Sequence, residues 1–199
     1  MTAPVLVVND TRVDRHHGCY AVISAIRSLL ERNGMRATHF WPAHVDWRSD
    51  PAFDMILKDV RLIVVNGEGT IHHNRPAGRC LLEVASRARA RGIPVALVNV
   101  GWEDNGPEFL ELLDGFDLLA ARDSRSAEQM SSGGAKVRTV PDLSFWYARM
   151  HAQKLDQSSR AEIGFTDNVD RMNSLLLEQL RRECSGLTLA ICHGEASLS

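Results

Sequence analysis

Short, nearly uninterrupted apolar runs alternate along the chain with stretches whose apolar residues recur at helical spacing. Val5 to Val8, Arg61 to Val65 and Pro94 to Val100 are too continuously apolar for half-exposed strands and read as strands buried on both faces. Between the first two, Val22, Ile23, Ile26, Leu29 and Leu30 share one face of a helix that starts near Cys19 and stops at Gly34. Met35 to Trp41 supplies the next strand. Arg79 to Arg91 reads as a helix ended by Gly92, with Pro94 beyond it. A short helix (PEFLELL), a strand (DLLAAR), a short helix from Ser126 to Met130 and a strand from Val137 to Val140 complete the pattern. The expected fold class is therefore α/β: a doubly wound, mostly parallel, Rossmann-like sheet with helices on both faces.

In such a sheet, ligands lie beyond the carboxyl ends of the strands. Five polar segments then open on one edge: NDTRVDRHHG, NGEGTIHHN, GWEDNG, RDSRS and PDLSF. The second is the most specific. Gly67 and Gly69 let the backbone turn closely around a ligand, Thr70 brings a hydroxyl, and Glu68, His72 and His73 bring titratable groups. Adjacent side chains of an extended segment point to opposite faces, so one histidine faces the site, and His72 is preferred. In the first segment, Arg12 and His17 can supply charge, and Gly18 allows close approach at a helix start. In the later ones, Arg122 can form a planar fork to an anion, Ser126 and Asp142 can bind or orient polar groups, and Trp102 to Asn105 can stack on and hydrogen-bond a sugar.

Composition narrows the function classes. With 199 residues, 44% hydrophobic and 24% charged, the chain can bury a substantial core. Its 23 Lys and Arg against 25 Asp and Glu give a net charge of -2, which speaks against a general nucleic-acid binder. Cys19, Cys80, Cys184 and Cys192 show no metal-ligand spacing and read as buried small hydrophobes of a reducing, cytoplasmic protein. Neither a signal peptide nor a membrane span is evident, and no metal site is expected. The arginines of RARAR, Arg87 to Arg91, are two apart and are expected to fan around a solvated helix.

Taken in order, NDTR…HHGC, NGEGTIHHN, LVNVGWEDN, ARDSRSAEQM and VPDLSF resemble the polysaccharide pyruvyl transferase family, from about Val5 to Phe145. The resemblance implies one half of a GT-B-type transferase, whose two Rossmann-like domains face each other. It also implies transfer of a pyruvyl group from phosphoenolpyruvate to a hydroxyl pair of a saccharide, with no cofactor besides that donor. Segments AEIGFTDNVDRMNSLLLEQLRRE and LTLAICHG resemble the start of the second domain. The expected organisation is a Rossmann-like domain over residues 1–148, a linker over 149–160 and an incomplete second unit over 161–199, which a partner chain could complete. On this reading His72 is the general acid, its pKa raised by a neighbouring Glu68. A nucleotide-sugar glycosyltransferase of the same plan and a non-catalytic binding module are the alternatives.

Overall fold

The computed structural model describes residues 2–151 together with residues 164–166 and 187–189. Six parallel strands form one sheet: β1 (Ala3–Asp10), β2 (Met35–Pro42), β3 (Leu62–Asn66), β4 (Val95–Val100), β5 (Leu118–Ala121) and β6 (Val137–Thr139), in the spatial order β2-β1-β3-β4-β5-β6. Helices α1 (His17–Arg32), α2 (Pro51–Ile56), α3 (Pro76–Arg89), α4 (Pro107–Leu110), α5 (Ser124–Ser131) and α6 (Ser144–His151) connect or follow them. The doubly wound, Rossmann-like expectation holds.

Strand periodicity divides the core in two. Val5, Val7 and Val64 point to one face, where they meet Val22, Ile23, Ile26 and Leu30 of α1. Leu6, Val8, Ile63, Val65, Val95 and Leu97 point to the other, with residues of α2 to α5. Both faces are thus covered, which is why these strands lack the polar alternation of a half-exposed sheet. The chain leaves β1 on one side towards β2, crosses back on the other side to β3, and keeps to that side through β6. Parallel crossovers of one hand require this arrangement. The direction reverses between β1 and β3, the switch point at whose carboxyl edge such sheets commonly place ligands.

Helix limits follow local chemistry. Asp50 caps α2 by accepting from the Ala52 N–H at 2.9 Å, and Pro51 occupies its first turn. Helix α3 likewise begins at Pro76, three residues before the expected start. The PEFLELL segment forms α4 and then a 3-10 turn, Glu111–Gly115. Arg87 and Arg91 do not fan into solvent as expected; four apart, both reach Asp54, at 2.6 and 3.0 Å, and tie α3 to α2. Helix α6 continues to His151 and packs on α1: Tyr147 meets Tyr20 edge-on at 6.1 Å, and the Arg32 guanidinium lies over the Trp146 ring at 5.4 Å. Cys80 is buried and Cys19 half-buried, both as free thiols.

Beyond α6, strands β7 (Gly164–Thr166) and β8 (Leu187–Leu189) pair in parallel as a separate sheet. The linker segment past residue 151, the expected helix of the second unit, Cys184 and Cys192 lie outside the described residues. Among the described residues, no helix is long and apolar enough to cross a membrane.

Candidate functional site

At the reversal point, the ends of β1 and β3 are stitched by buried amides. Asn9 Nδ2 donates to the Asn66 carbonyl at 2.7 Å and to Thr70 Oγ1 at 3.2 Å, while Asn66 Nδ2 donates to the Asn9 carbonyl at 3.3 Å. Thr70 Oγ1 donates to the Glu68 carbonyl at 2.9 Å. The Glu68 carboxylate accepts from Thr11 Oγ1 at 3.0 Å and from Asn66 Nδ2 at 3.4 Å, so it is directed at the β1 loop. Burial and the charge of Glu68 push the nearby Cys19 thiol up to about 11, which leaves it protonated and poorly nucleophilic.

The expected Glu68–His72 pair is therefore not formed. His72 lies on the opposite side of the loop, half-buried, with its Nδ1 2.9 Å from His73 Nδ1 and the two rings edge to face. Its pKa is lowered, first by burial and then by Arg75 and His73, against a smaller opposing effect of Glu103. This corrects the expectation of a raised pKa. Removal from water, helped by the Arg75 charge and the adjacent His73 ring, outweighs one carboxylate. His73 turns outward to Asp104, 3.5 Å away.

His72 lines a cleft of 470 Å³ between the loops after β3, β4 and β5, with Gly69, Gly101, Trp102, Glu103, Arg122, Asp123, Arg125 and Ser126. Gly69, at φ +61°, leaves open space where a side chain would stand. The Arg122 guanidinium lies over Gly101 so closely that a Cβ there would meet Nη2 at 3.1 Å, and Asp142 steadies it by accepting from Nη1 at 3.2 Å. Asp142 also caps α6 by accepting from the Ser144 N–H. Asp123 caps α5 by accepting from the Ser126 N–H at 2.7 Å, and that bond lowers its pKa. The helix terminus is thus met by an internal carboxylate, and the guanidinium of Arg122 is the better anion partner in the cleft. Ser126 Oγ donates to Asp123 and accepts from the Trp102 N–H, which makes it a brace of the wall.

The remaining expected residues are placed differently. Arg12 is engaged by Asp10 through Nε at 2.8 Å and Nη2 at 2.6 Å and sits over the Phe40 ring. His17 is the exposed first residue of α1, and the Gly18 N–H donates to His16 Nδ1. Gly67 is buried against Val100, where an added Cβ would come within 2.7 Å of Cγ2. Trp102 is 3% exposed and packs edge-on against Phe109, so its ring belongs to the core and not to a sugar platform. Thr70 lines a second, more apolar hollow of 230 Å³ beside Asn9, Trp41 and Trp47. His73, Glu103 and Asp104 bring ligand-type atoms within 4.8 Å of one another, but all three are exposed, and we assign no ion to them.

Sequence reasoning missed Asn9, Asn66, Gly101 and Arg125. Asn9 and Asn66 each end an apolar run, and a buried amide at a strand's carboxyl end was the available signal. For Gly101 the sequence carries no sign of the guanidinium above it.

Fold and site together define an α/β protein with an arginine- and histidine-lined cleft at the carboxyl edge of a parallel sheet. The sequence model of the polysaccharide pyruvyl transferase family matches residues 16–186, and the chain belongs to that family. No curated protein matches the sequence in a direct search. Among solved structures, one described as "XylFII-LytSN complex" is similar at a TM-score of 0.41 and 9% identity, over 96% of this chain and 80% of that one.

Proposed function

We propose that the cleft binds phosphoenolpyruvate and that the chain serves pyruvyl transfer to a hydroxyl pair of a saccharide. The observation that carries this reading is the meeting of His72, Arg122 and Arg125 around the open backbone of Gly69, with the Arg122 guanidinium laid over Gly101. Arg122, fixed by Asp142, suits a planar carboxylate or a phosphate. A histidine with a lowered pKa is mostly neutral near pH 7 and suits a base that accepts a hydroxyl proton, in place of the acid first expected. Glu68, turned to Thr11, acts in this reading as a brace of the loop.

Calorimetric titration of the full chain with phosphoenolpyruvate tests the proposal. Arg122→Ala should weaken binding by about tenfold or more, as expected for loss of a charge-assisted pair. Gly101→Ala should weaken it comparably without removing any charge, because the methyl group displaces the guanidinium. Absence of binding by the folded wild type would sink the donor assignment. A stronger response to nucleotide sugars in a thermal-shift screen would favour the glycosyltransferase alternative.

A further inference from the structure

Two loops meet across the mouth of the cleft: residues 71–74 after β3 and residues 103–106 after β4. His72 and Glu103 form an isolated parallel bridge, and the His73 N–H donates to the Glu103 carbonyl at 2.8 Å. Side chains then complete the closure. The Asn74 N–H donates to Asn105 Oδ1 at 3.0 Å, the Gly106 N–H donates to Asn74 Oδ1 at 2.7 Å, and Asn105 Nδ2 donates to the Ile71 carbonyl at 3.1 Å. Each asparagine thus accepts a backbone N–H of the opposite loop. Three non-glycine residues here sit in the left-handed region: His73 at φ 53°, Asn74 at 51° and Asp104 at 47°. Such conformations persist where surrounding contacts over-determine them, and they concentrate at functional sites. A connection serving only to reach α3 has no use for this. Indeed, α3 has no side-chain cap hydrogen bond at Arg75, while the asparagine just before it is turned to the neighbouring loop.

We propose that Asn74 and Asn105 are positioning residues, whose reciprocal hydrogen bonds clasp the β3 loop to the β4 loop and so hold the His72 imidazole in the cleft. The assignment of that cleft as the reaction site rests on the pyruvyl transfer reading; the clasp itself rests on the contacts above. Charged and titratable groups around His72 are His73 and Arg75 on its own loop, Glu103 on the facing one, and Arg122, Asp123 and Arg125 on the third wall. Once the clasp is lost, the β3 loop samples orientations in which the ring leaves this set.

Asn74→Gly separates the clasp from backbone strain, because glycine accepts a positive φ but offers no acceptor to Gly106. Asn74→Asp keeps both the acceptor and the tolerance of that φ. In nuclear magnetic resonance of the full chain, the wild type should give one sharp set of His72 ring signals. Asn74→Gly and Asn105→Ala should broaden or split them, and should speed exchange of the His73 amide by about fivefold, the effect of one lost hydrogen bond. Asn74→Asp should restore the wild-type pattern. Unchanged His72 signals in both Asn74→Gly and Asn105→Ala would overturn the proposal, as would failure of Asn74→Asp to rescue them. Phosphoenolpyruvate is not needed for this measurement, so failure of the donor assignment and failure of the clasp are read separately.

Discussion

His72 is governed by its surroundings more than by its residue type. Burial, and then the neighbouring Arg75 and His73, depress its folded pKa below that of a free imidazole, about 6.5. Protons therefore bind the unfolded chain more tightly than the folded one. The neutral ring's contribution to stability is complete above the unfolded value and is lost as pH falls through the depressed folded value. Urea titrations at a series of pH values should show this directly. Between pH 7 and pH 5 the wild type should lose more stability than His72→Gln, and equal losses would mean the ring is not held as described. The same residue shows where sequence reading reached its limit. Alternation along an extended chain leads one to expect that one of two adjacent histidines turns inward, and His72 does, but at a turn where His73 has φ 53°. The partner does not follow from the sequence, because whether Glu68 turns to Thr11 or to His72 is decided by Asn66 and Thr11, on two different strand ends.

At the scale of elements, the strands were legible because both faces of a parallel sheet must be apolar, and the sequence records that need residue by residue. Helix α2 was not, although Asp50 and Pro51 are a ready-made helix start, because its six residues are too short to show a period. The packing of β3 on β4 was equally silent. Gly67 reads as a loop glycine, yet it stands where a Cβ would press Val100 Cγ2 at 2.7 Å. Gly67→Ala should therefore cost about 1–3 kcal/mol through overpacking. Trimming the obstacle in Gly67→Ala/Val100→Ala should recover part of that loss, so the two changes should be less than additive in a denaturation cycle. Strict additivity would show that the cost arises elsewhere.

Over the whole molecule, the two faces of the sheet are served unequally. Helices α2 to α5 pack on one side, whereas α1 receives α6 on the other. Helix α6 was not legible, because its apolar and polar residues are mixed and its place depends on a contact with a helix more than a hundred residues earlier. Trp146 should carry much of that contact. Trp146→Ala should cost about 2 kcal/mol or more, scaled down from a fully buried aromatic. Trp146→Phe should retain most of the stability, because the indole Nε1 it deletes is buried with no hydrogen-bond partner among the described residues. A larger loss with Phe than with Ala would exclude the packing role.

The same α1–α6 pairing sets an order of events during synthesis. Helix α1 is complete at Arg32, but the helix that packs on it begins only at Ser144. At about 5–20 residues per second, the ribosome needs roughly 5–20 s to make the intervening chain. For that interval the outer side of α1, with Tyr20 and Arg32, waits without its later cover, the Tyr147 and Trp146 rings. A nascent chain arrested just before α6 should bind a holdase chaperone that releases chains long enough to include it.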